Sequence, residues 1–140
     1  MTTYRDIIIA FRDFFEKHRV INTFIDTQTW NFQTKSREFP AVICVPNTST
    51  GNYNLVNLSF SLFFCDILQD SAENTKDVYN DMLEAAKDFI SYFGNDEEAF
   101  TINEDYTLQP FEEEFDMRVA GWQLDFTITL PIEHCDVNIS

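Results

Sequence analysis

The spacing of apolar positions divides the chain into two helices and several strands. Tyr4, Ile7, Ile8, Phe11, Phe14 and Phe15 recur every three or four residues, which predicts an amphipathic helix. Thr2 or Thr3 can cap it, and Asp6 suits the positive end of its dipole. Lys17, His18 and Arg19 fall in the last turn, beside the free carbonyls. Residues 24–33, from Phe24 through Trp30 to Gln33, are rich in aromatic and β-branched side chains and read as a strand. A polar turn over 34–38 and Phe39-Pro40 lead into a short strand at 41–45. Residues 46–52 form a polar loop of turn formers. Over 53–66 the pattern alternates: Leu58, Phe60, Leu62 and Phe64 point one way, Asn57, Ser59 and Ser61 the other.

Asp70-Ser71-Ala72-Glu73 has the form of a capping box opening a second helix. Val78, Tyr79, Met82, Leu83, Ala86, Phe89, Ile90 and Phe93 make its stripe, and Gly94 follows its end. Phe100–Ile102 and Tyr106–Leu108 are short strand candidates. Residues 117–130 alternate most clearly, with Ala120, Trp122, Leu124, Phe126, Ile128 and Leu130 on one side. Pro131 stops the strand and leaves an extended tail, 131–140. The order α-β-β-β-α-β-β implies a single α+β domain over 1–140. Its antiparallel sheet has about four to six strands, with two helices packed on one face. Trp30, Phe63, Tyr53, Leu55, Val56 and Val119 leave apolar surface on the second face, which suggests a partner subunit.

Composition narrows the class. The chain has 140 residues, is 44% hydrophobic and holds fifteen Phe, so it is not disordered. Its apolar runs, Ile7–Phe11 and Leu62–Cys65, fall far short of the ~20 residues that span a bilayer. The first residues lack a basic stretch leading into an apolar core, so no secretory signal and no membrane association are expected. Three cysteines cannot all pair, and Cys44 and Cys65 sit in strand-like runs, which points to buried reduced thiols.

Charge changes the picture most. The formal net charge is −15. Residues 1–40 hold six bases against five acids, net +1, whereas 41–140 hold three bases against nineteen acids, net −16. Tight nucleic-acid binding depends on Lys and Arg releasing counterions, so this surface repels phosphates. A protein that stays off DNA, or that meets a basic partner, is favoured.

Candidate chemistry is sparse. Asp77, Asp81, Glu84 and Asp88 form the wet side of the second helix rather than a catalytic pair. The acids at 96–98 and 104–105 lack the alternation and central Gly of a calcium loop. His134-Cys135-Asp136 offers three ligand types, but adjacent residues of an extended tail diverge, and His18 belongs to a helix end. Nucleophile elbows, phosphate loops and dinucleotide fingerprints are absent from the sequence. No enzyme, metal or cofactor is expected.

What remains is surface. Gly94–Asp116 carries nine acids and no base, among them Glu97, Glu98, Glu112, Glu113, Glu114 and Asp116. They serve either as a solubilising loop or as a docking or repulsive surface. The polar loop residues Asn47, Thr48, Ser49, Thr50 and Gly51 are candidates to reach a neighbouring subunit. A subunit near neutral at one end and acidic at the other can place unlike faces together head to tail, and such contacts close into rings.

The element order, together with a set of local signals, resembles phage tail terminator and head–tail joining proteins. Those signals are Phe89-Ile90-Ser91-Tyr92-Phe93, then Leu108-Gln109-Pro110-Phe111, then Asp116-Met117-Arg118-Val119-Ala120-Gly121-Trp122, with Leu130-Pro131 and Cys135 beyond. They look like the proline-aromatic, acidic and Val-Ala-Gly-Trp strand pattern of tail-completion proteins, including those of crAss-like phages of gut Bacteroides. The likeness in element order covers most of the chain, and the local signals cover about residues 83–135. It implies a virion protein of the tail or neck: a homo-oligomeric ring of six or twelve copies between portal and tail. Portal, ring or tail proteins would adjoin it, and DNA would pass through without sequence-specific binding. No catalytic residues come with the resemblance. Type III secretion chaperones, small acidic dimers that hold an extended segment of a partner, also fit the element order and the pI.

Overall fold

A computed structural model describes residues 2–26, 39–68, 73–95, 100–114 and 118–132. It has the α+β architecture, with eight elements: α1 (Tyr4–Lys17), β1 (Thr23–Asp26), β2 (Ala41–Pro46), β3 (Thr50–Gly51), β4 (Leu55–Ile67), α2 (Thr75–Phe93), β5 (Thr107–Glu114) and β6 (Arg118–Pro131). The strands form one sheet in the order β1-β2-β4-β6-β5, with β3 paired to β4. Both helices lie on the same face.

α1 opens as its sequence requires. Thr3 accepts the Asp6 N–H at 3.2 Å and Asp6 accepts the Thr3 N–H at 3.0 Å, a reciprocal capping box. Ile7, Ile8, Phe11 and Phe15 are buried, while Tyr4 lies at the rim and is 42% exposed. The helix ends at Lys17, so His18 and Arg19 fall beyond the last turn. α2 starts at Thr75, later than the Asp70–Glu73 box implied. Asn74 takes the N-cap position and its amide donates to the Ile67 carbonyl at 3.1 Å, while Glu73 lies in the preceding turn. Residues 70–72 lie outside the described ones. Along α2, Val78, Met82, Ala85, Ala86, Phe89 and Phe93 are buried, and Leu83 is only half-buried.

The core between helices and sheet is largely phenylalanine. The Phe11 ring sits 5.2–6.0 Å from those of Phe60, Phe89, Phe93, Phe100 and Phe126, each edge-on. Phe15 stacks on both Phe24 and Phe89. The long ladder of β4 with β6, from Leu55↔Pro131 to Ile67↔Val119, forms the spine. Gly121 is obligatory there: a Cβ on it would lie 1.7 Å from the Phe64 carbonyl oxygen.

Three strand expectations change. β1 and β2 are parallel, not antiparallel, with Thr23 opposite Ala41. A parallel pair needs a crossover of about a dozen residues rather than a tight hairpin, and residues 27–40 supply the length. Residues 27–33 of the expected strand, Trp30 among them, and the turn at 34–38 lie outside the described residues. Pro46 closes β2, and Thr50–Gly51, expected as free loop, pair with Asn57 and Val56. Gly51 permits that return, since a Cβ there would meet the Leu55 carbonyl oxygen at 2.7 Å. The candidate at Tyr106–Leu108 becomes an eight-residue strand running through Pro110 and three glutamates. Pro and consecutive acids depress strand propensity, but an outermost strand tolerates both. Phe100–Ile102 contributes one isolated bridge, Ile102 to Ile128.

Candidate interaction surface

The alternation of β2, β4, β5 and β6 gives the sheet a second face, away from the helices. At one end of it Ala41, Ile43, Cys65 and Val119 are fully buried, with Ile25, Phe39, Val45, Phe63 and Phe111 packed against them. The expected apolar second face is therefore a second small core, not bare surface. Of its proposed members, Val56 shares the helix side with Phe60 and Leu130, and Tyr53 is an exposed turn residue. Cys44 and Cys65 are both buried, on opposite faces; burial and the nearby Asp26 push the Cys44 thiol far above its ordinary range.

The other end of this face is polar and cross-linked. The Asn47 amide donates to the Ser61 hydroxyl at 2.7 Å, and Ser61 donates to Asp125 at 2.5 Å. Asp125 also accepts from Gln123 at 3.1 Å and from Thr107 at 3.4 Å, and Gln109 donates to Gln123 at 2.9 Å. Further along, Thr129 donates to Asn57 at 2.6 Å and receives the Asn103 amide at 3.0 Å. Three strands, β4, β5 and β6, and the flanking loop residues Asn47 and Asn103 are thus tied by side chains that accept or donate without a cation. Asn47, Ser59, Asp105, Tyr106, Thr107 and Asp125 border a shallow depression of about 290 Å³ over this network.

The described basic residues keep to the helix side. Among the described residues, Arg5, Arg12 and Lys17 lie on α1, Arg19 just past it, and Lys76 and Lys87 on α2. Arg118, in β6, shares the helix side with Ala120 and pairs with Glu112. The second face carries no base among the described residues.

The two outermost strands differ in charge. β5 ends in Glu112–Glu114, opposite Ala120, Val119 and Arg118. Next to it the Tyr79 hydroxyl donates to the Phe111 carbonyl at 3.3 Å, and burial together with Glu112 raises the phenol above its ordinary range. Across the sheet, Tyr4, Arg5, Ile8, Ile9, Arg12 and Asp26 line a cleft of about 280 Å³ between α1 and β1. The Arg12 guanidinium stands 6.0 Å from the Phe24 ring centroid.

The sequence candidates do not converge. Asn47, Thr48 and Ser49 form an exposed loop whose first member is tied to Ser61, and Thr50 and Gly51 form β3. Glu112 is exposed at the far end of the sheet, since Gly51 neighbours Val56 while Glu112 shares a rung with Asp66. Ten strand residues separate those rungs, roughly 30 Å. Glu113 and Glu114 are placed by backbone pairing alone, and Glu97, Glu98 and Asp116 lie outside the described residues. So do His134, Cys135 and Asp136 of the tail. The Ser61–Asp125 network escaped the sequence reading because Ser, Gln and Asp at alternating strand positions look like ordinary solvated ones.

Among the described residues, no group of three or more His, Cys, Asp or Glu is placed to hold a metal ion. Among them, too, no helix is long and apolar enough to cross a membrane. The sequence matches no model of a known protein family and none of the curated proteins.

Proposed function

We propose that the chain is a non-enzymatic structural subunit that assembles with copies of itself into a closed ring, of the kind that joins phage head and tail around the DNA channel. The observation that carries this reading is the polar end of the sheet's second face, which holds no base among the described residues. The Ser, Thr, Asn, Gln and Asp side chains described there offer passing phosphates no ion pair, so DNA slides past without sticking. With that face toward the lumen, both helices and the bases they carry lie outward, where adjoining portal or tail proteins meet them. The resemblance in element order and in the Val119-Ala120-Gly121-Trp122 strand supports the same assignment.

The test is the assembly state. Light scattering and negative-stain electron microscopy of the purified chain are expected to give a closed ring with a central opening, and gel shifts are expected to show no retention of duplex DNA. A stable dimer that captures an extended peptide would instead establish the secretion-chaperone alternative.

A further inference from the structure

The two charged sides of the sheet sit at matching heights. One rung runs Phe24, Val42, Phe64, Trp122, Pro110 across all five strands of the main path. Arg12 stands over Phe24 at one end of that rung. Glu112, two residues along β5 from Pro110, sits at the other end, about 7 Å further on. Both groups lie on the helix side of the sheet, because Glu112 pairs opposite the buried Ala120 of the helix-side core. A copy displaced sideways along the strand order therefore brings its Glu112 end to its neighbour's Arg5 and Arg12.

We infer that the cleft between α1 and β1 is a docking site for a second copy of this chain, and that its occupant is the Glu112 end of the neighbour's β5. The inference rests on the ring reading and names its contact. Arg5, Ile9 and Arg12 follow one another at helical spacing and are exposed, with Ile9 42% exposed, which gives the cleft an apolar wall between two cations. Asp26 at its margin offsets one of those cations. On the other partner, Glu112 pairs with Arg118 and is followed along β5 by Glu113 and Glu114, so the two strand ends that meet differ in formal sign. Such a contact is heterologous: each copy uses its α1 side for one neighbour and its β5 side for the other, the geometry that closes rings. Charge complementarity fixes register and speeds encounter.

Charge reversal in combination tests it. Arg5→Glu/Arg12→Glu and Glu112→Lys are each expected to weaken self-association by at least ~100-fold, because like charges then face each other. Arg5→Glu alone, at an exposed position away from Phe24, reads the same contact if the double variant loses its fold by circular dichroism. Mixing Arg5→Glu/Arg12→Glu with Glu112→Lys is expected to restore assemblies in which the two alternate, and added salt is expected to weaken the parent ring. Parent rings that persist in both variants overturn the contact and leave the ring reading standing. A parent chain that stays monomeric at every concentration overturns both.

Discussion

The His18 imidazole meets the Asp88 carboxylate at 2.9 Å, joining the end of α1 to the exposed side of α2. The other ring nitrogen, Nδ1, accepts the Val20 N–H at 3.3 Å, so Nε2 carries the proton and donates to Asp88. His18 is thus fixed by the chain it caps and by the helix beside it, with the ring also 5.7 Å from that of Phe14. Asp88→Ala is expected to cost about 1 kcal/mol, the scale of one hydrogen bond to a charged group at a half-open site. Asp88→Asn, which keeps an acceptor, is expected to cost less. Urea unfolding of both variants measures the difference.

Trp122 is half-buried on the helix side, where its indole N–H donates to the Tyr79 carbonyl at 2.9 Å and its ring meets that of Tyr79 edge-on. Trp122→Ala is expected to destabilise by ~3 kcal/mol, the low end for aromatic truncation because one side of the ring is open. Trp122→Phe keeps most of the packing and is expected to lose only ~1 kcal/mol with the hydrogen bond. Equal losses in the two variants, measured by chemical unfolding, would mean that packing contributes nothing beyond that bond.

Gly121→Ala drives a methyl group into the Phe64 carbonyl of the neighbouring central strand, an overlap that no rotamer relieves. The expected loss is about 3 kcal/mol or more, with the β4–β6 ladder forced apart. Thermal melting and amide exchange along β4 would report it. A variant as stable as the parent would place β4 and β6 further apart at that rung.

Burial raises the Asp66 carboxyl above its ordinary value, Asp81 adds to the rise, and the Ile67 N–H, donating at 2.8 Å, opposes it. The native state therefore holds this proton to higher pH than the unfolded chain does. As pH climbs from the ordinary carboxylate value through the raised one, the unfolded state releases the proton first and stability falls. Asp66→Asn removes that penalty. The variant is expected to be more stable than the parent at neutral pH and to lose its advantage on acidification below both values, as followed by unfolding at several pH values.

Long periodic segments carried their structure openly in the sequence, and short or edge segments did not. The stripe Ile7, Ile8, Phe11, Phe15 and the alternation Ala120 to Leu130 each have one buried side, so period and burial agree. β1 has four residues, too few to show whether its partner runs parallel, and that direction depends on the connection rather than on the strand. Pro110 and Glu112–Glu114 argued against a strand because propensity is averaged over central and outermost positions, and β5 is outermost. On the candidate surface, the charge split was visible at once. That the described bases sit on one side of the sheet was not, because it depends on which way Arg118 points and on both helices sharing a face.

The β4–β6 spine also sets the order in which the molecule can be made. β4 leaves the ribosome long before its central partner, because α2 and β5 lie between them in the chain. β2 and the stub β3 can pair with β4 early, but one flank of it stays without hydrogen bonds until Arg118–Pro131 emerges. Pairing strands so distant in sequence places folding on the order of milliseconds to seconds rather than microseconds. During synthesis the phenylalanines of β4 and both helices wait on a sheet that lacks its centre, so a chain released before β6 is an aggregating fragment rather than a smaller domain.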